Sequence, residues 1–351
     1  MFEKLSPKPK SNQNSFLLKD TSKNLNISSS LYEGAIKSGE VEVPCLCINC
    51  EEKYCFQYSL DEIDHDILEG LPHNNDLRVC PANAIVLNED NTLEINSNCF
   101  SCGLCVYRCP IGGIRIDRGK SFKAEFFTDS SQLFAKSDLA ISVHDVVNQV
   151  VSKDNIKFSI DPQHLSRVYR LLEVHSKRIQ DFDLILTRNL FIGLGIANKV
   201  SAKGNNDNRF DFLGLANNKY LLGEVDFKGS DFLSLNRRIL EDITVLNNRY
   251  DKEINSEILP LLIILGFPNK RSDYYEVTKD IKDVLGIKIY TLPVHILLLF
   301  QWNHFLLDDS ILESFYVDID NMSIEDTIKE LIDDIHDIDP YFGNNFYKYL
   351  K

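Results

Sequence analysis

The stretch Arg209-Phe-Asp211-Phe-Leu-Gly-Leu-Ala-Asn217-Asn218-Lys-Tyr-Leu-Leu-Gly-Glu224-Val-Asp226-Phe-Lys228 reads as two apolar strands around a two-residue turn. Asn-Asn suits that turn because asparagine tolerates a positive φ. With Asn217 and Asn218 as the loop, Asp211 stands directly opposite Glu224, and residues so paired lie about 5 Å apart at Cβ. Glu224 and Asp226, two positions apart, share that face of the strand. Three carboxylates therefore converge on one spot of an otherwise apolar hairpin. Like charges on a half-buried sheet repel one another and lose hydration, so they need a cation. Two sources are open. Arg209, opposite Asp226 in the same register, and an Arg/Lys network could neutralise the patch, or hard oxygens could hold a divalent metal, Mg²⁺ or Mn²⁺.

Outward from the hairpin, Asp161-Pro162 is a helix start, with Asp as cap and Pro in the first turn. Leu165, Val168, Leu172, His175 and Ile179 then fall on one helical face to about residue 180. Strand-like runs follow near Arg209 to Leu215, Tyr220 to Phe227, Leu261 to Leu265 and Ile287 to Thr291, with helical patterns at Leu235 to Asn248 and Tyr274 to Leu285. The order helix, hairpin, helix, strand, helix, strand predicts an α/β domain with a mixed sheet covered by helices. Ser323 followed by Asp326, Ile328, Leu331, Ile332 and Ile335 reads as a capped amphipathic helix packed on its own domain.

This region resembles the PD-(D/E)xK nuclease core, whose pattern is an Asp on one strand, Glu-x-Lys on the next, and a helix after it. The resemblance covers about residues 160 to 292 and implies a restriction-endonuclease-like fold. Asp211 matches the first Asp, Glu224 the Glu, and Glu173, in the preceding helix, the acidic residue that many members place there. Asp226 stands where the pattern has Lys, while Lys228, two residues on, points to the same face. The implied activity is metal-assisted hydrolysis of DNA phosphodiester bonds. Asp211, Glu224 and Asp226 would serve as metal ligands, and Asp226 or Lys228 would orient or deprotonate the attacking water.

The nine cysteines all lie between Cys45 and Cys109. In a reducing compartment such clustering marks metal ligands or catalytic groups more often than disulfides. Cys99-Phe-Ser-Cys102-Gly-Leu-Cys105-Val-Tyr-Arg-Cys109-Pro110 is C-x2-C-x2-C-x3-C-P. Three thiolates on one tight loop can each reach a different iron of one cubane, while the fourth faces a second cluster. A structural zinc is the plain alternative, but four cysteines at this spacing do not readily face one tetrahedral ion. A second half comes from Cys47-Ile-Asn-Cys50-Glu-Glu-Lys-Tyr-Cys55 and, after an acidic insertion carrying His65 and His73, Cys80-Pro81.

The cysteine pattern resembles bacterial two-cluster ferredoxins and the iron–sulfur subunits of multi-component oxidoreductases. It implies two 4Fe–4S clusters with crosswise ligation: Cys47, Cys50, Cys55 and Cys109 for one, and Cys99, Cys102, Cys105 and Cys80 for the other. Cys45 is spare, or it replaces Cys47; His65 and His73 read as polar loop residues. Ala84 to Leu87 and Thr92 to Ile95 flank a short hairpin, and Gly113 to Asp117 repeats the strand after the second motif. Together these imply an α+β, ferredoxin-like dicluster domain.

Length and composition set the frame. The chain has 351 residues, of which 44% are hydrophobic and 26% charged, as expected for a folded protein of two or three domains. The organisation read from the sequence is a mobile arm over 1–40, an iron–sulfur domain over 41–125, a linker over 126–160 and a nuclease-like domain over 161–351. The longest apolar runs, Ile258 to Phe267 and Leu292 to Phe300, are about half the length of a membrane-spanning helix. The start has no continuous apolar segment, so the expectation is a cytoplasmic protein without a membrane partner. The net charge of −14 sits in the cysteine module and the acidic tail, which disfavours loose, charge-driven nucleic-acid binding but leaves a basic face open in the middle. The expected partners are DNA and, for an electron carrier, a redox protein; a homodimer stays open. The competing expectation is a ferredoxin that passes electrons to a partner, with the C-terminal region as its docking domain.

Overall fold

The computed structural model describes residues 55–63, 67, 71–89, 93–108, 114–116, 124–126, 162–202, 209–229, 231–250, 257–269, 271–302, 305–321, 324, 327–328 and 331. The expected arm over 1–40 and Cys45, Cys47, Cys50, His65 and Cys109 lie outside them, as do Asp161, Ser323 and all but one residue of the 126–160 linker. The chain divides into two compact units, and the division does not follow sequence order. Residues 77–126 and the short segment 55–58 belong to one; residues 162–331 and the segment 59–76 belong to the other.

In the cysteine unit, β1 (Ile85–Leu87) pairs antiparallel with β2 (Leu93–Ile95), Val86 facing Glu94. This is the hairpin expected between Ala84 and Ile95. Strand β3 (Ile114–Ile116) falls in the Gly113 to Asp117 run expected as a strand after the second motif, and it pairs antiparallel with β4 (Ala124–Phe126), a strand the sequence pattern did not indicate.

The larger unit begins with α1 (Leu60–Ile63), and a second short helix, α2 (Leu104–Arg108), belongs to the cysteine unit. The main run then reads α3 (Pro162–Arg178), α4 (Phe182–Gly193), β5 (Ala197–Val200), β6 (Phe212–Ala216), β7 (Lys219–Asp226), α5 (Phe232–Tyr250), β8 (Ile258–Ile264), α6 (Tyr274–Leu285), β9 (Tyr290–Pro293), α7 (Val294–Trp302) and α8 (Asp309–Glu313). One five-stranded mixed sheet, ordered β5-β6-β7-β8-β9, carries it. The pairs β5–β6 and β6–β7 are antiparallel, whereas β7–β8 and β8–β9 are parallel.

Local chemistry explains the switch in direction. Asn217 adopts a left-handed φ of 51° and the turn closes with Ala216 opposite Lys219, so β6 and β7 form a tight hairpin. Parallel strands need a crossover longer than any turn, and α5 and α6 supply the two crossovers. Gly286 ends α6 in the left-handed conformation, φ 71°. Residues 220 to 225 of β7 and 259 to 264 of β8 are all buried, which is why those strands read as continuous apolar runs. Phe212 lies flat across β7 only because position 223 is glycine: a Cβ there would meet the Phe212 ring at 2.9 Å.

The sequence pattern missed α4, β5 and α7. Every residue of α7 is buried, and α4 is buried at nine positions. A helix enclosed on all sides has no polar face and therefore no 3.6-residue period to read. Ile324 and Ile328, from the expected amphipathic tail helix, are both buried.

Candidate functional site

Chemistry-bearing side chains gather at two places, one in each unit. In the cysteine unit, Cys80, Cys99, Cys102 and Cys105 line one cavity together with Ile85, Ile95 and Phe100. Sharp backbone turns bring the four thiols there. Asn83 in the Cys80-Pro-Ala-Asn turn has φ 52°, and Ser101 and Gly103 have φ 62° and 83°. These left-handed conformations turn the loop sharply around the cavity. The Ala84 amide donates to Cys80 Sγ at 3.2 Å, a hydrogen bond that favours a thiolate.

Burial opposes that ionised state. It pushes the Cys80, Cys102 and Cys105 thiols up, and neighbouring thiols push Cys102 and Cys105 further. Four thiolates will not coexist in this cavity unaided; a bound group carrying positive charge would hold them. Among the described residues no group of three or more His, Cys, Asp or Glu side chains is placed to hold a single metal ion. What the structure shows is that the four thiols share the lining of one cavity. No disulfide joins the described cysteines. Cys55 is buried and its charge is felt by Cys105, while its expected co-ligands Cys47, Cys50 and Cys109 lie outside the described residues. His73 is tied to the Leu71 carbonyl at 2.9 Å and does not line the cavity.

In the larger unit, the ladder of the β6–β7 hairpin ends with Phe212 opposite Gly223, so the next pair is Asp211 and Glu224, the register expected from the Asn-Asn turn. The Val225 amide donates to Asp211 Oδ2 at 3.0 Å and fixes that carboxylate against β7. Glu224 is 2% exposed. Burial, then the Asp211 charge, then a hydrogen bond with Asp242 keep its carboxyl protonated well above the usual range. Burial lifts Asp211 to about 6 as well. Asp242, on α5, is also 2% exposed and its Oδ2 has no hydrogen-bond partner.

The residues named from sequence are not all brought together. Glu173 lies on the outer face of α3, half exposed and paired with Lys177 at 2.8 Å. The helical acid that does sense the hairpin is Asp183, in the first turn of α4. It accepts from Ser176 Oγ at 2.8 Å, receives the Phe227 amide and lies in the field of Asp226 and Lys228; burial raises it to about 6. Asp226 accepts from the Lys228 and Gly229 amides at 2.7 and 3.2 Å, which shapes the turn into α5. Arg209 does not neutralise Asp226: it pairs with Glu241 at 2.8 Å. The cation paired with Glu224 is Arg238, whose Nε lies 3.1 Å from Glu224 Oε2 while its own side chain stays 43% exposed. Burial raises the Asp242 carboxyl, and Arg209 and Arg238 both oppose that rise.

Asp183 and Asp242 went unread, although one of them carries a signal. Leu235, Ile239, Asp242 and Leu246 recur at helical spacing and are all buried, so Asp242 is an acid in the apolar stripe of α5. An acid in a stripe that faces a sheet is costly unless something there uses it. Asp183 follows Phe182 at the start of an apolar helix, where an acid is equally explained by the helix dipole.

The chain matches no family model. Over 91 residues, 26% of the chain, it is 24% identical to an uncharacterized ferredoxin of Methanocaldococcus jannaschii. The match spans 46% of that protein, so the chain covers less than half the length of the curated relative it resembles. The similarity supports a ferredoxin-like iron–sulfur module and does not extend to the activity of the whole chain. No helix among the described residues is long and apolar enough to cross a membrane.

Proposed function

We propose that the chain is an iron–sulfur protein whose larger unit is a metal-dependent DNA endonuclease of the restriction or repair type. The observation that supports this reading is Asp211 opposite buried Glu224 at the end of the β6–β7 hairpin, with Asp226, Asp242 and Asp183 near enough to act on the titration of these acids or of one another. The element order supports it too: two helices, a three-strand antiparallel meander, a helix and a parallel strand, with Asp211 just ahead of the second strand and Glu224 and Asp226 on the third. The part of it that the PD-(D/E)xK resemblance implies is an Asp at one strand, the Glu on the next and a helix after it, here Asp211 ahead of β6, Glu224 on β7 and then α5.

As they stand, these carboxylates hold a proton and Arg238, and no three of them are placed around one point. A bound Mg²⁺ or Mn²⁺ would polarise the scissile phosphate and lower the pKa of a water. The residues themselves do the following. The Val225 amide keeps Asp211 oriented. Asp183 anchors α4 to the Phe227 amide and, with Lys228, sets the charge around Asp226. Arg238, half exposed beside Glu224, is held less tightly while Glu224 keeps its proton and can then reach a phosphate. The cysteine unit is assigned two 4Fe–4S clusters with the crosswise ligand sets given above, of which Cys80, Cys99, Cys102 and Cys105 share a cavity.

A second reading is favoured by the ferredoxin similarity: an electron carrier or oxidoreductase iron–sulfur subunit with the larger unit as a docking domain. One experiment separates the two. Anaerobically purified protein is incubated with supercoiled plasmid and Mg²⁺, Mn²⁺ or EDTA, beside the Asp211→Asn variant. The nuclease reading expects nicked or linear product with metal alone, lost in the variant. Intact plasmid throughout, with clusters that dithionite reduces and that pass electrons to an added acceptor, supports the carrier instead.

A further inference from the structure

The segment inserted between Cys55 and Cys80 leaves the cysteine unit, packs on the larger unit and returns. Its neck is closed by antiparallel bonds: Tyr58 N–H to the Leu77 carbonyl at 2.9 Å, Val79 N–H to the Phe56 carbonyl at 3.0 Å, and a bridge between Gln57 and Arg78. These bonds end directly on the two cysteines. The Arg108 guanidinium covers the Tyr58 ring at 4.7 Å and braces the neck from the side of the second motif.

Beyond the neck, the described residues are built to hold the sheet. Ile63, Ile67 and Leu71 are 1%, 1% and 4% exposed. Asn74 spends both backbone groups there: its N–H donates to the Val200 carbonyl at 2.8 Å, and its carbonyl lies 3.5 Å from Nη1 of the fully buried Arg188. Val200 belongs to β5, the edge strand of the five-stranded sheet. An edge strand presents unpaired backbone groups that must be covered, and α1 lies against β5 as well.

We infer that the described residues of this segment, 71–76 above all, act as a strap through which ligation of Cys55 and Cys80 secures the β5 edge of the larger unit. The inference rests on the iron–sulfur reading of those two cysteines. With both thiols fixed on clusters, the ends of the strap are held at the neck, and the strap loses less conformational entropy when it docks. Linkage makes the effect reciprocal: a strap that cannot dock loosens the neck and exposes the ligands. An insertion that departs from the ferredoxin spacing thereby gains a task, which is to report cluster loss to the other unit.

The test follows cluster loss by visible absorbance when the full chain, purified anaerobically, is exposed to an iron chelator. Asn74→Pro removes the amide that holds Val200, and it should lose its clusters about tenfold faster than the wild type. Leu71→Ala, a milder undocking, should accelerate loss in the same direction should Asn74→Pro fail to fold. Leu235→Ala, in the core far along the sequence, should lower the melting temperature and leave the chelation rate unchanged. Equal rates for the wild type and both strap variants overturn the strap, as does acceleration by Leu235→Ala of the same size. Iron content, measured first, keeps this outcome apart from a failure of the iron–sulfur reading, in which no cluster is present to lose.

Discussion

Asp211 faces Glu224 one position beyond the last rung of the β6–β7 hairpin, held in place by the Val225 amide at 3.0 Å. Two acids so placed cannot both ionise cheaply, and the burial of Glu224 decides which keeps its proton. Stability should therefore depend on pH in a defined direction. Asp211 and Asp183 move from the ordinary 3.8 up to about 6, and Glu224 rises further from 4.5. The folded state binds these protons more tightly than the unfolded state, so stability falls as pH rises above the ordinary carboxylate values. The slope is about 1.4 kcal/mol per pH unit for each such proton. Urea titrations of metal-free protein from pH 5 to 8 should show that fall, and Glu224→Gln should flatten it; a slope unchanged by the substitution refutes the assignment.

Thermal melts with and without Mg²⁺ test what the acids are for. Arg238 keeps 43% of its side chain exposed, so truncating Glu224 does not strand a buried cation. Asp211→Asn and Glu224→Gln should melt at or above the wild type at pH 8 and lose any Mg²⁺-dependent upward shift. Lower melting of both, with Mg²⁺ shifting none of the proteins, makes the acids structural.

Asp183 and Glu173 make a matched pair. Asp183→Asn should lower plasmid cleavage by about 10- to 100-fold, the usual cost of losing a supporting group at a metal site. Glu173→Ala, which removes only an exposed i,i+4 ion pair, should leave cleavage within error and cost under about 0.5 kcal/mol. Nicking rates measured in parallel decide between them; equal losses would return the helical acid to α3.

Cys80→Ala should cost about four irons per chain although Cys80 lies 19 residues ahead of Cys99. The shared cavity is the reason. Iron analysis and low-temperature electron paramagnetic resonance of the reduced variant check it, and a full complement of about eight irons speaks against Cys80 as a ligand.

Gly223→Ala should destabilise the larger unit by about 1–3 kcal/mol, the range for overpacking a core. The added methyl meets the Phe212 ring at 2.9 Å and Ile263 at 3.2 Å, with the sheet on both sides leaving no room to yield. Chemical denaturation followed by tryptophan fluorescence of the buried Trp302 reads it directly; an unchanged midpoint would show that the hairpin shifts to accommodate the methyl.

Much of this protein was legible in one dimension because the signals were local. The Asn-Asn turn set the register that opposes Asp211 to Glu224, and no distant residue was needed to fix it. The Cys99 to Cys105 spacing placed three thiols on one loop, and Pro81 marked the turn that carries Cys80. Amphipathic α3, α5 and α6 announced themselves by period. Only the tertiary structure decided the rest. Helix α7 is buried along its whole length and α4 at nine positions, polar ones included, so the core that encloses them hides them from periodicity. Which acid joins the hairpin depends on how α3 and α4 are rotated against the sheet: α3 turns Glu173 to solvent, whereas α4 brings Asp183 to β7. Arg209 could have neutralised the patch by register alone, yet α5 lies close enough to offer it Glu241 and to supply Arg238 and Asp242 in its place. The insertion after Cys55 looks like a loop in sequence because its partners, Val200 and Arg188, are more than a hundred residues away. Spacing along the chain specifies turns and periods; which faces meet is set by the packing of elements whose contacts lie far apart in sequence.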